Sequence, residues 1–352
     1  MTASPFDHPI LSGLFGDDEI ADHLSPDEEV RQYYLFESAL AIAEAAEGII
    51  PQAAAEQLTM SIDPADIPVL REGTARDGVP AVAFVQKLKE RVGPEHAQHI
   101  HVGATSQDLI DTALVLRLRP ILTVLERRID ALIAALEHLA ARDGANPLMG
   151  VTRMQEALPI TAGARVETWS LPLARHKTRL GELRPRLLVL QFGGAVGTLD
   201  ALGAKGRAVA ERMAQMLGLS VPPRSWHTQR DNLAEFASWL SLVSGTLGKI
   251  GEDIALMALT GDIELSGGGG SSAMPHKQNP VRAEVLVSLA RYAAILSGGM
   301  HQAQVHELER SGAAWTLEWL ILPQLVMTTG AGLRIALELS GGIESIGGDR
   351  DG

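Results

Sequence analysis

The chain has 352 residues, 46% of them hydrophobic, enough to bury a large core in one big domain or two to three smaller ones. It has no cysteine, which excludes disulfides, thiolate zinc sites and cysteine nucleophiles and fits a reducing, cytoplasmic compartment. A formal net charge of −13 argues against nucleic acid as a partner, yet a local cluster of Lys and Arg in a cleft would still hold an anionic small molecule.

The N-terminus lacks the basic start, apolar run and small-residue cleavage site of a secretory signal, and no apolar run reaches the roughly 20 residues of a membrane span. The first clear element is an amphipathic helix over residues 26–48, with Val30, Tyr33, Tyr34, Phe36, Leu40 and Ile42 interleaved with acidic residues. Pro51, Pro64 and Pro68 break the next stretch of chain into shorter helices. Thr105-Ser106-Gln107-Asp108 reads as a helix start, with a hydroxyl cap and an acid in the first turn. From there Leu109, Ala113, Leu116, Ile121, Leu125, Ile129, Leu132, Leu136 and Leu139 keep helical spacing to Asp143-Gly144. That predicts a helix of about 38 residues, roughly 57 Å long, kinked at Pro120.

Further helices are expected at about 157–190, 232–260, 281–304 and 315–339, several of them apolar around most of their circumference. Strand signals are weak. The expected fold is all-α: a helical N-terminal domain over 1–104, a central long-helix bundle over 105–345 and a flexible tail over 346–352. Helices this long and apolar point to oligomerisation through the bundle.

Four segments beside the helix breaks carry the residue types that chemistry needs. His99-Ile-His101-Val-Gly-Ala-Thr105-Ser106 puts hydroxyls and backbone N–H groups at a helix N-terminus, a natural carboxylate seat. Thr152, Arg153 and Gln155 precede the helix expected from 157, and Arg153 suits a bidentate carboxylate contact. Arg230 stands at another helix entrance, with Asp231 as the cap. Residues 267–280 combine four glycines, a mobile backbone, with Ser271, Ser272, Met274, Lys277 and Asn279; Asn279 is placed as N-cap and Pro280 as first helical residue.

No Gly-Lys-Ser/Thr follows the glycines, so there is no phosphate loop of the NTPase type. Gly193, Gly194 and Gly197 read as lying in a helical context without a preceding strand, so no dinucleotide fold is expected. His99 and His101 lack a third ligand at convincing spacing, and neither metal nor cofactor is expected.

Together, Thr105-Ser106-x-Asp108, Gly150-x-Thr152-x-x-Gln155-x-Ala157-x-Pro159 and Gly270-Ser271-Ser272-x-Met274-Pro275-x-Lys277-x-Asn279-Pro280 resemble the three separated motif regions of the fumarase/aspartase superfamily, over about residues 25–340. Within it the chain looks most like the lactonizing, cycloisomerase branch, on Gly103-Ala-Thr-Ser-Gln-Asp-Leu-Ile-Asp-Thr-Ala113, Gln191-Phe-Gly-Gly-Ala-Val-Gly-Thr198, Trp226-His-Thr-Gln-Arg-Asp231, Gly245-Thr-Leu-Gly-Lys249 and Ala314-Trp315 with Glu318-Trp319. Two departures stand out. Many lyases of the superfamily have a histidine after the Thr of the second motif, where this chain has Arg153, and the superfamily's small C-terminal domain looks reduced or absent.

The resemblance implies a homotetramer with sites shared between subunits, and a cofactor-free closure in which a carboxylate of a tricarboxylate muconate adds to a double bond of the same molecule. Ser271, Lys277 and Arg153 are then the catalytic candidates, with Ser271 as proton donor. His101, Thr105, Ser106, Thr152, Gln155, Arg230, Ser272, Met274 and Asn279 are the substrate-binding ones. A fumarate-releasing lyase is the alternative activity; it needs a proton-donating histidine, for which His101 is the candidate. A silent helical scaffold is the alternative of another class, and it has no use for Ser271, Lys277 and Asn279 together.

Overall fold

The computed structural model describes residues 4–58, 66–270, 274 and 277–348. Two short helices, α1 (Ser12–Phe15) and α2 (Asp18–Leu24), lead into α3 (Pro26–Ala46). Ser25 caps α3 by accepting the Glu28 N–H, and Pro26 at the first helical position costs no hydrogen bond there. The region after Pro51 forms short helices, α4 (Gln52–Glu56), α5 (Asp66–Asp77) and α6 (Pro80–Val92); Pro64 lies outside the described residues, and Pro68, expected to break the chain, sits in the first turn of α5, where proline is tolerated.

The long helix α7 runs over Ser106–Asp143, the 38 residues expected, and continues through Pro120. Its start is a capping box: Thr105 takes an N–H of the first turn while the Asp108 carboxylate takes the Thr105 N–H at 3.0 Å.

After α7 the structure departs from the expectation of a helix from 157. A two-stranded hairpin, β1 (Pro147–Thr152) and β2 (Gln155–Thr161), comes first, and α8 (Ala162–Leu187) starts only where Thr161 accepts the Ala164 N–H. β2 escapes notice because its side chains are nearly all exposed, so no apolar alternation marks it. The chain then forms α9 (Gly206–Leu217), α10 (Asp231–Thr260), β3 (Ile263–Leu265), α11 (Val281–Gln302), α12 (Ala313–Gly341) and β4 (Ile343–Ile346). β4 pairs antiparallel with β3, and Ile346, expected in a flexible tail, is fully buried opposite Ile263.

The five long helices α7, α8, α10, α11 and α12 run alternately up and down around one core of Leu, Ile, Val and Trp169. A second core joins α3, α5 and α6 to the first turns of α7 and to α9, so the helical N-terminal region is completed by a helix about 100 residues later in sequence. Among the described residues α11 and α12 are long and apolar enough to cross a membrane by length and composition alone, although neither is an unbroken apolar run. In α12, however, 72% of that stretch is buried inside the protein, as befits a core helix of a bundle.

Candidate active site

The N-terminal end of α7 is organised by Asp108. Its carboxylate is fully buried and accepts from the Thr105 N–H, from the Gly193 and Gly194 N–H groups at 2.9 and 2.8 Å, and from Gln191 Nε2 at 3.2 Å. The His227 Nε2 lies 2.8 Å from the same carboxylate. Gly193 and Gly194 thus belong to an irregular loop and not to a helix. Gly194 has φ of 70°, and a Cβ there would lie 2.7 Å from the Gly103 carbonyl oxygen, so glycine is required for both backbone angle and space.

One turn further along α7, Asp111 meets Arg230 and Glu318. Arg230 is 2% exposed and uses Nη1 and Nη2 on Asp111, at 2.6 and 3.1 Å, and Nε and Nη2 on Glu318, at 2.8 and 2.5 Å. Its guanidinium lies over the Trp226 ring, 4.7 Å from the centroid, and Trp315 Nε1 donates to Asp111 at 3.0 Å. Burial opposes the charge on Arg230, but the two carboxylates outweigh it and raise its pKa; Glu318 is lowered against its own burial by Arg230 and His306. Arg230, expected at a substrate carboxylate, has its donors committed to two protein carboxylates and braces the site from behind. Asp231 is also not the cap: it is the first helical residue of α10, after Arg230.

Thr105 and Ser106 are half-buried at the lip of this end. The Thr105 hydroxyl accepts from Arg310 Nη1 at 2.8 Å, and Arg310 Nη2 reaches the Ala195 carbonyl at 3.0 Å. No role was assigned to Arg310 or Asp111 in the sequence, because the partners of Arg310 lie about 115 to 205 residues away and Asp111, beyond its neighbour Gln107, meets Arg230 and Trp315 at 119 and 204 residues. His101, in a left-handed conformation with φ of 62°, lies with Nδ1 2.5 Å from a Glu37 carboxylate oxygen.

The second and third motif regions lie at the opposite end of the bundle. Asn146 and Pro147, at the base of the hairpin, bond to Ile346 and Gly348, and Ser266, which begins the glycine loop, bonds to Gly342. Thr152 pairs with Gln155, leaving Arg153 and Met154 as a two-residue turn with φ of 49° and 63°. Such turns favour Asn-Gly; two bulky residues with left-handed backbone carry strain of about 1–2 kcal/mol each. Residues 151–159 are exposed throughout, with Met154 71% and Leu158 74% accessible. Thr152, Arg153 and Gln155 therefore project from a hairpin tip and do not sit at a helix entrance.

Gly269 and Asn279 exchange both backbone hydrogen bonds, at 2.9 and 2.8 Å, and close the neck of the glycine loop. A Cβ on Gly268 would lie 2.7 Å from Gln278 Cβ, and one on Gly269 2.4 Å from Val281 Cγ2, so these two glycines serve close approach of the two arms. The backbone of Asn279 makes this neck, and Asn279 is not the N-cap: Pro280 takes that position and Val281 begins α11. Lys277 is exposed, its N–H bonded to the Met274 carbonyl at 3.0 Å, and Met274 is 42% exposed. Ser271 and Ser272 lie outside the described residues.

The structure thus gathers His101, Thr105, Ser106 and Arg230 at one end of α7, and Thr152, Arg153, Gln155, Met274, Lys277 and Asn279 at the other. With 38 residues of helix between them, the two groups are roughly 57 Å apart within one chain.

The lyase family matches residues 26–294. The chain belongs to this family. The chain is 43% identical over 319 residues to the 3-carboxy-cis,cis-muconate cycloisomerase of Pseudomonas aeruginosa, an alignment over 88% of this chain and 70% of that protein. It is 41% identical to the enzyme of that name from Bradyrhizobium diazoefficiens, over 88% of this chain and 71% of that one. Among solved structures, the 3-carboxy-cis,cis-muconate lactonizing enzyme of Pseudomonas putida superposes with a TM-score of 0.89 at 38% identity, covering 96% of this chain and 77% of that chain. The all-α fold of that structure is the fold expected from the sequence.

Proposed function

We propose that the protein is a cofactor-independent cycloisomerase converting 3-carboxy-cis,cis-muconate to 4-carboxymuconolactone, a step of protocatechuate catabolism. The similarity to cycloisomerases across 319 residues carries this reading. Arg153 at the hairpin tip, in place of a histidine, is the chemical detail that agrees with it. In ring closure one substrate carboxylate oxygen forms a bond to an alkene carbon, and a proton is added to the carbon next to another carboxylate. Nothing leaves, and read backwards the leaving group is a carboxylate, which needs no protonating histidine.

The substrate carries three negative charges and the intermediate concentrates more charge on one carboxylate, so positioned donors dominate catalysis; each is worth about 3–4 kcal/mol. Lys277 and Arg153 supply cations, Ser271 supplies the proton, and Thr105, Ser106, His101, Thr152 and Gln155 hold carboxylates. Asn279, whose backbone closes the loop neck, offers its side-chain amide to a carboxylate, and Arg230 holds the frame behind α7. Ser272 and Met274 belong to the loop that closes over the substrate.

We place these groups together in a homotetramer with each site built from more than one subunit. The separation along α7 supports this, as do exposed apolar side chains on the bundle helices, Leu259 at 81%, Ile295 at 72% and Leu320 at 66%. The absence of cysteine supports a cytoplasmic location.

The test monitors the conjugated-diene absorbance of 3-carboxymuconate mixed with purified protein. Loss of absorbance with lactone formation is expected. An unchanged spectrum, with fumarate released from a succinyl substrate instead, would overturn the reading in favour of a lyase.

A further inference from the structure

His101 belongs to the group assigned above to substrate carboxylates, and what it offers such a group depends on what holds its ring. Glu37 does so. It projects from the middle of α3, only 1% of its side chain is accessible, and one of its oxygens lies 2.5 Å from His101 Nδ1. The His101 side chain is itself 14% accessible, and its Nε2 has no hydrogen-bond partner among the described residues. Its backbone, at φ of 62°, is fixed just ahead of Gly103 and the capping box.

We propose that Glu37 is a positioning residue of the active site. Its carboxylate grips Nδ1–H of His101, keeps the ring in one orientation as an imidazolium, and leaves Nε2–H as the donor for a substrate carboxylate. This role deepens the function proposed above and rests on it for the identity of the anion.

The charges around the pair favour this arrangement. Burial works against a charged His101, but Glu37 and, from the first turn of α7, Asp108 outweigh it and raise its pKa; Lys89 on α6 opposes them. Another acid, Glu44, two turns along α3 from Glu37, is fully buried with both carboxylate oxygens unpaired among the described residues. Burial, with Glu37 nearby, pushes it up to about 8, so near neutrality it is mostly uncharged. The charged pair is therefore fully present below the ordinary histidine value of about 6.5 and is lost as pH rises through the raised value in the folded protein.

The experiment is an NMR titration of the His101 imidazole in the full-length protein, wild type against Glu37→Gln and Glu37→Asp, paired with kcat/KM as a function of pH. In Glu37→Gln the His101 midpoint should fall, and the alkaline limb of kcat/KM should move down with it; the loss of activity should be large near pH 8 and small near about pH 5.5. Glu37→Asp, which keeps the charge, should recover part of both. A His101 midpoint unmoved by either variant overturns the proposal. If Glu37→Gln does not fold, Glu37→Asp alone decides, since a carboxylate drawn back by one methylene should still lower the midpoint. The titration needs no substrate. A midpoint that moves in a protein inactive on 3-carboxymuconate would therefore overturn the assigned substrate while leaving the Glu37–His101 pair in place.

Discussion

Arg230 shows how a residue type can be read correctly and its role misread. The sequence places an arginine at a helix entrance, where a guanidinium suits a substrate carboxylate. The fold supplies the carboxylates itself, Asp111 from α7 and Glu318 from α12, on residues 119 positions before it and 88 after it. No sequence spacing announces such a pairing, because the two acids arrive from other helices. The roles also make different predictions. Truncating a substrate ligand lowers kcat/KM and spares stability, whereas removing a buried arginine leaves two uncompensated carboxylates, at about 3–5 kcal/mol. Arg230→Ala should therefore lower the urea unfolding midpoint strongly. An unchanged midpoint with lost activity would return Arg230 to the substrate. Asp108 and Thr105 were legible as a helix start because the capping box is local; that Asp108 also pins Gly193 and Gly194 was not.

At the scale of elements, the long helices were readable because their apolar residues recur at 3.6-residue spacing over many turns, and the start and end of α7 fall at a capping box and a glycine. The β1–β2 hairpin was not. It has little core of its own, and its turn is Arg-Met where a tight two-residue turn favours Asn-Gly. An exposed, strained, largely apolar hairpin contributes little to the stability of the subunit carrying it, and its conformation makes sense if the tip works elsewhere. Arg153→Ala should then reduce kcat/KM by about 10²–10³-fold, the effect of removing one positioned donor. The unfolding free energy should stay within about 0.5 kcal/mol, as for other surface substitutions. Equal losses of stability and activity would mean that the tip holds up the fold and not the site.

For the whole molecule, the decisive quantity is the length of α7. A rigid helix of 38 residues keeps the Thr105 end and the glycine-loop end of one chain roughly 57 Å apart, too far for closure of a loop to bridge. A small tricarboxylate cannot span that distance, so if both ends act on one substrate they must come from different subunits. The resemblance already implies shared sites, and the length of α7, legible in the sequence, supplies a physical reason for them. Two variants inactivated at opposite ends, Ser106→Ala and Lys277→Ala, each damage every site when assembled alone. Mixed in equal amounts, dissociated and reassembled, they give some sites in which the Thr105 end comes from the Lys277→Ala chain and the loop from the Ser106→Ala chain. With random assembly about a quarter of the sites are then intact, and activity should return to about that fraction of wild type. A site contained within one chain has no such combination, and the mixture would stay as inactive as its parts.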